Sequence, residues 1–159
     1  MQKNIMPHWL AENVVQHAKL IIESYQQITG IELFDQKYPD EYCSYLLYHA
    51  PFVVVSHGTE NDPVFNYANI TAQQLWSIDW EQFTQMPSRL SAEAERTEDR
   101  QRLLNEAAVK GFIDNYTGIR ISSTGTRFKI ENVLLWNLND NLGQKTGQVA
   151  LFRNWTNLK

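Results

Sequence analysis

The fold is decided by residues 112–138, which read FIDNYTGIRISSTGTRFKIENVLLWNL. Apolar, β-branched and aromatic residues dominate both sides of STG, which is a hairpin turn signal. A third segment of this kind, residues 146–156, follows the turn signal NDNLG. The C-terminal third of the chain therefore predicts a meander of three antiparallel strands.

Upstream of the meander, helical and strand patterns alternate. Apolar residues at three- and four-residue steps predict a first helix that ends at Gly30, and a second helix follows over residues 40–49. PFVVVSHG and the stretch around VFNYAN predict two strands. Thr71-x-x-Gln74 has capping-box spacing, which predicts the start of the next helix. DWEQF predicts a further short helix, and a last helix is predicted over residues 97–110.

This order predicts an α+β protein with a five-stranded antiparallel sheet. The helices between strands two and three would cover one face of the sheet. We expect residues 1–50 to form a helical extension and residues 51–159 to form the core, in a single folding unit. The apolar stripe from Leu10 to Ile28 leaves two alternatives open, packing on the sheet or forming the seam of a homodimer.

Composition excludes several classes of function. The net charge is −4 and no Lys/Arg cluster occurs, so a direct nucleic-acid binder is not expected. No apolar run approaches the roughly 20 residues that a membrane span needs, and the N-terminus lacks the apolar core of a signal peptide. The single cysteine, Cys43, fits a reducing cytoplasm. The four histidines lack metal-ligand spacing, so no metal is expected.

Long motifs resemble the MEKHLA family, a PAS-related domain. PFVVVSHG, DPVFNYANITAQQLW, PSRLSAE, GQVALFRNWT and the meander carry the resemblance from the first helix to Trp155. The family occurs as stand-alone bacterial and algal proteins and as the C-terminal domain of plant class III homeodomain–leucine zipper proteins. The resemblance implies a PAS-like fold and a sensory or regulatory module that binds a small ligand or a protein partner and acts on an effector protein.

The resemblance also bears on cofactors. SIDWEQFTQMPSRL has no cysteine where light-sensing flavin domains carry a reactive one, which argues against covalent flavin. TEDRQRLLNEAAVK has no histidine where haem-binding members carry a ligand, which argues against His-ligated haem. Non-covalent flavin or another planar ligand stays open, since Trp76, Trp80 and Trp136 could stack on it.

The register of the hairpin decides which polar residues face the helices. A two-residue loop at Thr124–Gly125 would place an apolar face, including Phe128 and Trp136, toward the interior. We favour this register because a shift by one residue would bury Asp and Arg, which is costly unless they are paired. The favoured register predicts the inward polar candidates Asn115, Thr117 and Asn132 beside Trp136, and the shifted one predicts Asp114, Tyr116 and Arg120.

The three inward polar groups have two interpretations. Apolar walls with a few convergent polar groups are typical of a small-molecule pocket. Alternatively, the same groups satisfy one another in a closed hydrogen-bond network. Outside the meander, Asn69 is expected to cap a helix and could also touch the pocket. Arg89 either holds an anionic ligand together with neighbouring serines or forms a structural ion pair, for instance with Glu93.

Three functions follow from these patterns. The first is a PAS-like regulatory module that binds a ligand or a partner without catalysis. The second is a small enzyme that uses a cavity between sheet and helices, with Asp114 or Glu131 as a base. The third is a ligand-free protein-interaction subunit with a filled core and an exposed apolar patch.

Overall fold

The structure is a computed structural model that describes residues 6–93 and 97–158. Helices lie at α1 Glu12–Thr29, α2 Asp40–Tyr48, α3 Ile70–Trp76, α4 Trp80–Phe83 and α5 Thr97–Lys110, with single 3-10 turns at His8–Leu10 and Ser88–Ser91. Strands lie at β1 Val53–His57, β2 Phe65–Ala68, β3 Phe112–Ile121, β4 Arg127–Asn139, β5 Lys145–Phe152 and β6 Asn154–Asn157.

The sheet is antiparallel and has the strand order β2-β1-β5-β4-β3. β6 extends the line of β5, since Leu134 lies opposite Leu151 and Glu131 lies opposite Asn154. The predicted five-strand α+β layout is confirmed, with a break in the last strand. Isolated bridges from Val64 to Pro87 and from Ala92 to Arg120 lie beside the two outer strands, β2 and β3.

Local signals explain most helix ends. α1 ends at Gly30, as predicted, because Gly30 adopts the left-handed conformation with φ 74° and donates its N–H to Gln26. The capping box expected at Thr71 is wrong. α3 begins one residue after Asn69, whose side chain accepts from the N–H of Ala72. Thr71 instead donates its hydroxyl to the carbonyl of Ala50 at 2.6 Å.

Both faces of the sheet are covered, so the domain has three layers. Helices α3 and α4 pack on one face against residues such as Val53 and Val55, and we call this the chamber face. α1 and α2 pack on the other, the α1 face, through an apolar stripe on the underside of α1. That stripe consists of Val14, Ala18, Ile21 and Tyr25. Of the two alternatives for the N-terminal helix, the chain uses packing on the sheet.

The favoured hairpin register is wrong. Ile121 pairs with Arg127, and Ser122 bonds through its N–H to the carbonyl of Thr126, so the loop has three residues instead of two. Arg120 consequently lies opposite Phe128. This register was expected to bury Asp114 at a cost in free energy. That cost is avoided, because a bulge between Ile113 and Tyr116 leaves Asp114 exposed.

The expectation that Phe128 and Trp136 share one interior face is also wrong. Asn132 adopts φ 54° at a bulge between the pairs Gly118–Ile130 and Tyr116–Val133. One extra residue on a strand reverses the alternation beyond it. Phe128, Ile130 and Val133 therefore face the chamber, whereas Trp136 packs under α1.

Candidate functional site: the two covered faces of the sheet

The chamber face is an interior built from aromatic rings around Trp76. The Trp76 ring makes edge-to-face contacts with Phe83, Phe128 and Phe152 at centroid distances of 5.7, 5.2 and 6.2 Å. Its indole N–H donates to the carbonyl of Ser91 at 3.2 Å. Rings in this geometry attract one another edge to face, so Trp76 ties α3 and α4 to the sheet.

The three polar residues predicted for the interior are placed elsewhere. Asn115, Thr117 and Asn132 are all exposed, so the inward orientation expected for them is wrong. Asn115 and Asn132 both have positive φ, at 59° and 54°, and occupy the two bulges of the β3–β4 hairpin. Asn tolerates this conformation better than most residues, which gives both amides a conformational role. Their role in ligand contact stays a prediction.

The residues that the shifted register predicted to face inward, Asp114, Tyr116 and Arg120, are divided between the interior and the surface. Tyr116 is buried on the chamber face, and the guanidinium of Arg120 lies 5.5 Å from its ring centroid and 3.4 Å from its hydroxyl oxygen. Gly118, between them, makes this possible, because a Cβ there would meet the Tyr116 hydroxyl at 2.7 Å and Arg120 at 2.8 Å. Asp114 is exposed.

The two carboxylates proposed as catalytic bases both lie outside the interior. Asp114 is exposed, and the Glu131 side chain is 44% exposed and lies 3.5 Å from the ammonium of Lys129. A base that works at neutral pH needs a perturbed environment of the kind that burial supplies. The geometry of these residues therefore does not support the cavity-enzyme hypothesis.

Asn69 is the most heavily bonded side chain of the predicted set. Its Oδ1 accepts from the N–H groups of Ala72 and Val54 at 3.1 and 3.2 Å. Its Nδ2 donates to the carbonyls of Leu47 and Phe52 at 3.2 and 2.7 Å. The capping role is confirmed, and the same amide also joins the end of α2 to the start of β1. All of its usual hydrogen-bonding positions are filled by backbone.

Arg89 forms a structural ion pair, which was one of the two roles considered for it from the sequence. Its partner is Asp62, with Nε 3.1 and 3.0 Å from the two carboxylate oxygens. Glu93, the partner suggested from sequence, is bound by Arg127 instead. Both side chains of the Arg89–Asp62 pair are more than half exposed, so the pair contributes little to stability.

The three tryptophans considered as a stacking platform lie in three separate places. Trp76 is in the chamber. Trp136 is under α1, where its indole N–H donates to the hydroxyl of Ser24 at 2.8 Å. Trp80 lies at the edge of α4, stacked on His8 at 5.0 Å. They do not converge on one ligand.

A partly buried polar chain under α1 was not predicted from the sequence. His17 Nε2 lies 2.8 Å from Ser56 Oγ, which donates in turn to Asn66 Oδ1. Because the single serine proton is used, His17 must donate its Nε2–H to the serine. Burial lowers the pKa of His17 and holds its imidazole neutral. The signal was present as two polar residues at core positions, His17 within the helical stripe and Ser56 within VVVSH.

Tyr67 lies beside this chain. Its ring centroid is 6.0 Å from that of His17 and 5.6 Å from that of Trp80. Its hydroxyl is buried and makes no hydrogen bond to the described residues. Burial, followed by the neighbouring Tyr48, raises the pKa of Tyr67 well above 10. The α1 face therefore combines a closed polar chain with one unsatisfied hydroxyl.

Metal and thiol chemistry find no support in the described ranges. Across residues 6–93 and 97–158, no group of three or more His, Cys, Asp or Glu side chains is arranged to hold a metal ion. Burial and the charges of Asp40 and Asp35 raise the pKa of Cys43, which disfavours the nucleophilic thiolate. Within the same ranges, no helix combines the length and the apolar character needed to span a bilayer.

Solved structures share the fold at low sequence identity. The PAS domain of a protein from Colwellia psychrerythraea superposes with a TM-score of 0.61 at 12% identity, over 74% of this chain and 95% of that one. An RNA-binding light-oxygen-voltage receptor gives a TM-score of 0.62 at 16% identity, over 79% of this chain and 35% of the receptor. A light-oxygen-voltage domain studied with a flavin analogue gives a TM-score of 0.55 at 14% identity, over 77% of this chain and 87% of that one.

Sequence comparison is more specific than these superpositions. Comparison with curated protein sequences gives no match. The family model described as the MEKHLA domain matches residues 15–157, which is nearly the whole chain. The match covers α1 from residue 15 onward and all strands of the sheet together with the helices between them. The chain belongs to the MEKHLA domain family, a PAS-related family with the fold of sensory domains.

Proposed function

We propose that this protein is a non-catalytic sensory or regulatory module in which binding at the chamber face alters the docking of α1. One observation carries the proposal: the same strands line both covered faces. Val53 and Val55 of β1 face the chamber, whereas Val54 between them faces α1. A packed interior transmits small displacements, so a displacement of residues in the chamber would shift α1 across the single layer of the sheet.

Polar contacts under α1 make its docking specific. Ser24 of α1 accepts from Trp136, and His17 of α1 bonds to Ser56. Both hydrogen bonds form only in one position of α1 on the sheet, which gives α1 a defined docked position. The outer side of α1, with exposed Glu12, Gln16 and Glu23, is polar and is available to an effector protein.

The proposal assigns ligand contact to the polar groups that the chamber face does contain. Tyr116 and Arg120 lie there, and a small ligand in the chamber would meet the phenol and the guanidinium. The proposal also includes a homodimer, because released α1 stripes from two copies could pair. The single cysteine, Cys43, favours a reducing cytoplasm as the location.

Native mass spectrometry of the protein isolated from its own host tests the proposal. We expect the spectrum to show a bound small molecule, a second subunit or a stoichiometric partner protein. In a matched preparation, Arg120→Met should lose a small molecule bound in the chamber, and the exposed control Arg153→Met should keep it. A bare single chain in every preparation would contradict the proposal.

A further inference from the structure

A second site lies on the surface of α2, apart from both covered faces of the sheet. The 3-10 turn at His8–Leu10 folds against α2, and Ser44 fixes it by donating its hydroxyl to the carbonyl of Trp9 at 2.7 Å. Between the turn and the helix is a depression of about 350 Å³, open to solvent. It is lined by Trp9, Glu41, Tyr42 and Tyr45. We call these four residues the aromatic shelf.

The rings of the aromatic shelf support one another. Trp9 meets Tyr45 edge to face at 4.9 Å, and Tyr45 lies 6.1 Å from Tyr42 with nearly parallel planes, at 8°. Tyr38 and His49 continue the row at 4.9 Å from Tyr42 and 4.3 Å from Tyr45. Spacings of three and four residues place Tyr42, Tyr45 and the C-capping His49 on one side of α2. The walls are thus formed before any ligand binds.

These rings are also accessible. Tyr42 is 45% exposed and Tyr45 is 38% exposed, although both are large aromatic residues that more often lie in cores or at interfaces. Each exposes part of its aromatic surface at a depression that Trp9 also lines. Ring faces of this kind attract positively charged groups.

The fourth wall adds a carboxylate. Glu41 is exposed, and no lysine or arginine within the described part of the chain lies within ion-pair distance of it. The neighbouring Asp40 is engaged by Lys19 at 3.4 Å, so Glu41 is the carboxylate left for a ligand. A carboxylate at the edge of aromatic walls repels anions and attracts cations.

We propose that the aromatic shelf binds an organic cation of the trimethylammonium class. A trimethylammonium group is weakly hydrated compared with a primary ammonium, and it combines a positive charge with an apolar surface, which suits rings on three sides and a carboxylate on the fourth. The group could belong to a free quaternary amine or to a trimethylated lysine of another protein. This site is separate from the chamber, which lies on the other side of the sheet.

Nuclear magnetic resonance titration of the full chain with choline tests the site. Choline is compared with its neutral isostere 3,3-dimethylbutan-1-ol and with a peptide that carries trimethyllysine. We expect choline to shift the Trp9 indole resonance, and the isostere to bind about tenfold more weakly because it lacks the charge. A peptide that binds much more tightly than choline would assign the group to a protein source, and a weaker one to a free amine.

Matched variants separate the site from general effects of charge. Glu41→Gln and Tyr45→Leu should each weaken choline binding about three- to fivefold. Glu106→Gln, an exposed carboxylate on α5, should leave it unchanged. Equal affinity for choline and the isostere, equal behaviour of Glu41→Gln and Glu106→Gln, or no shift of Trp9 would each overturn the proposal. None of these results depends on the chamber ligand sought by mass spectrometry.

Discussion

Single polar residues in buried positions determine how the helices attach to the sheet. Asn69 was predicted as a cap because Asn follows a strand at the head of a helix, and this role is confirmed. Its bonds to Leu47 and Phe52 join segments distant in sequence. They were beyond prediction because no local pattern specifies a tertiary partner. His17 was missed for the same reason, since its partner Ser56 lies 39 residues away.

His17 predicts a specific dependence of stability on pH. Burial lowers its pKa in the folded state, so the unfolded chain, with an ordinary pKa near 6.5, binds the proton more readily. Stability contributed by neutral His17 is therefore complete above about pH 6.5 and is lost as the pH falls below that value. Urea unfolding should show a progressive loss of stability from this residue as the pH falls below about 6.5.

The pH dependence of the wild type does not by itself identify the contribution of His17, because carboxylates also titrate in acid. The profile is therefore compared between variants. His17→Gln should remove this component and flatten the profile between about pH 7.5 and 5.5. His49→Gln is the matched control, because it removes an imidazole whose side chain is exposed. Parallel profiles for His17→Gln and the wild type would refute the assignment.

At the scale of elements, the β3–β4 hairpin shows what periodicity can and cannot predict. Alternation correctly places Phe128 and Ile130 inside, because period-2 patterning holds along a regular strand. It fails beyond Asn132, where the bulge directs Val133 to the chamber and Trp136 to α1. A bulge adds one residue without changing the apolar composition, so the pattern VLLW fits either face. Asn at a strand centre was the available signal, and it was interpreted as a pocket residue.

The left-handed backbone at Asn132 predicts opposite effects for two substitutions. Asn132→Gly should leave stability unchanged or raise it slightly, because glycine adopts φ 54° without a Cβ penalty. Asn132→Val should lower the free energy of unfolding by about 1–2 kcal/mol, because a β-branched residue is strained there. Chemical denaturation of both variants measures the difference. Equal stability of the two would show that the bulge is absent in solution.

At the scale of the whole molecule, the family and the sheet were predictable because long motifs occur in a fixed order. The side on which the N-terminal helix packs was not, because the stripe of α1 suits a sheet or a second helix equally well. The structure resolves the choice through complementary residues on the sheet. Trp136, Leu138, Val149 and Leu151 form an apolar surface that matches α1. An apolar surface of this kind is stable only when another element packs on it and excludes water.

Deleting residues 1–30 should therefore expose the α1 face of the sheet. We expect the shortened chain to bind a hydrophobic dye and to aggregate in size-exclusion chromatography with light scattering, since exposed apolar patches of several hundred Å² drive association. The milder Ile21→Ala should cost about 2–4 kcal/mol, against less than about 0.5 kcal/mol for exposed Gln16→Ala. A shortened chain that stays monomeric and binds no dye would contradict the three-layer arrangement.

The bridges beside the outer strands have a consequence for self-association. Open sheets are templates for fibre growth wherever a border strand offers free amide and carbonyl groups to another chain. Here the N–H of Phe65 is taken by the carbonyl of Met86, and Ala92 bridges Arg120 on the opposite border. Pro87, which has no N–H to offer, sits against Val64. Each of these two borders is thus partly occupied by the chain itself, which disfavours recruitment of other proteins through strand addition at those positions.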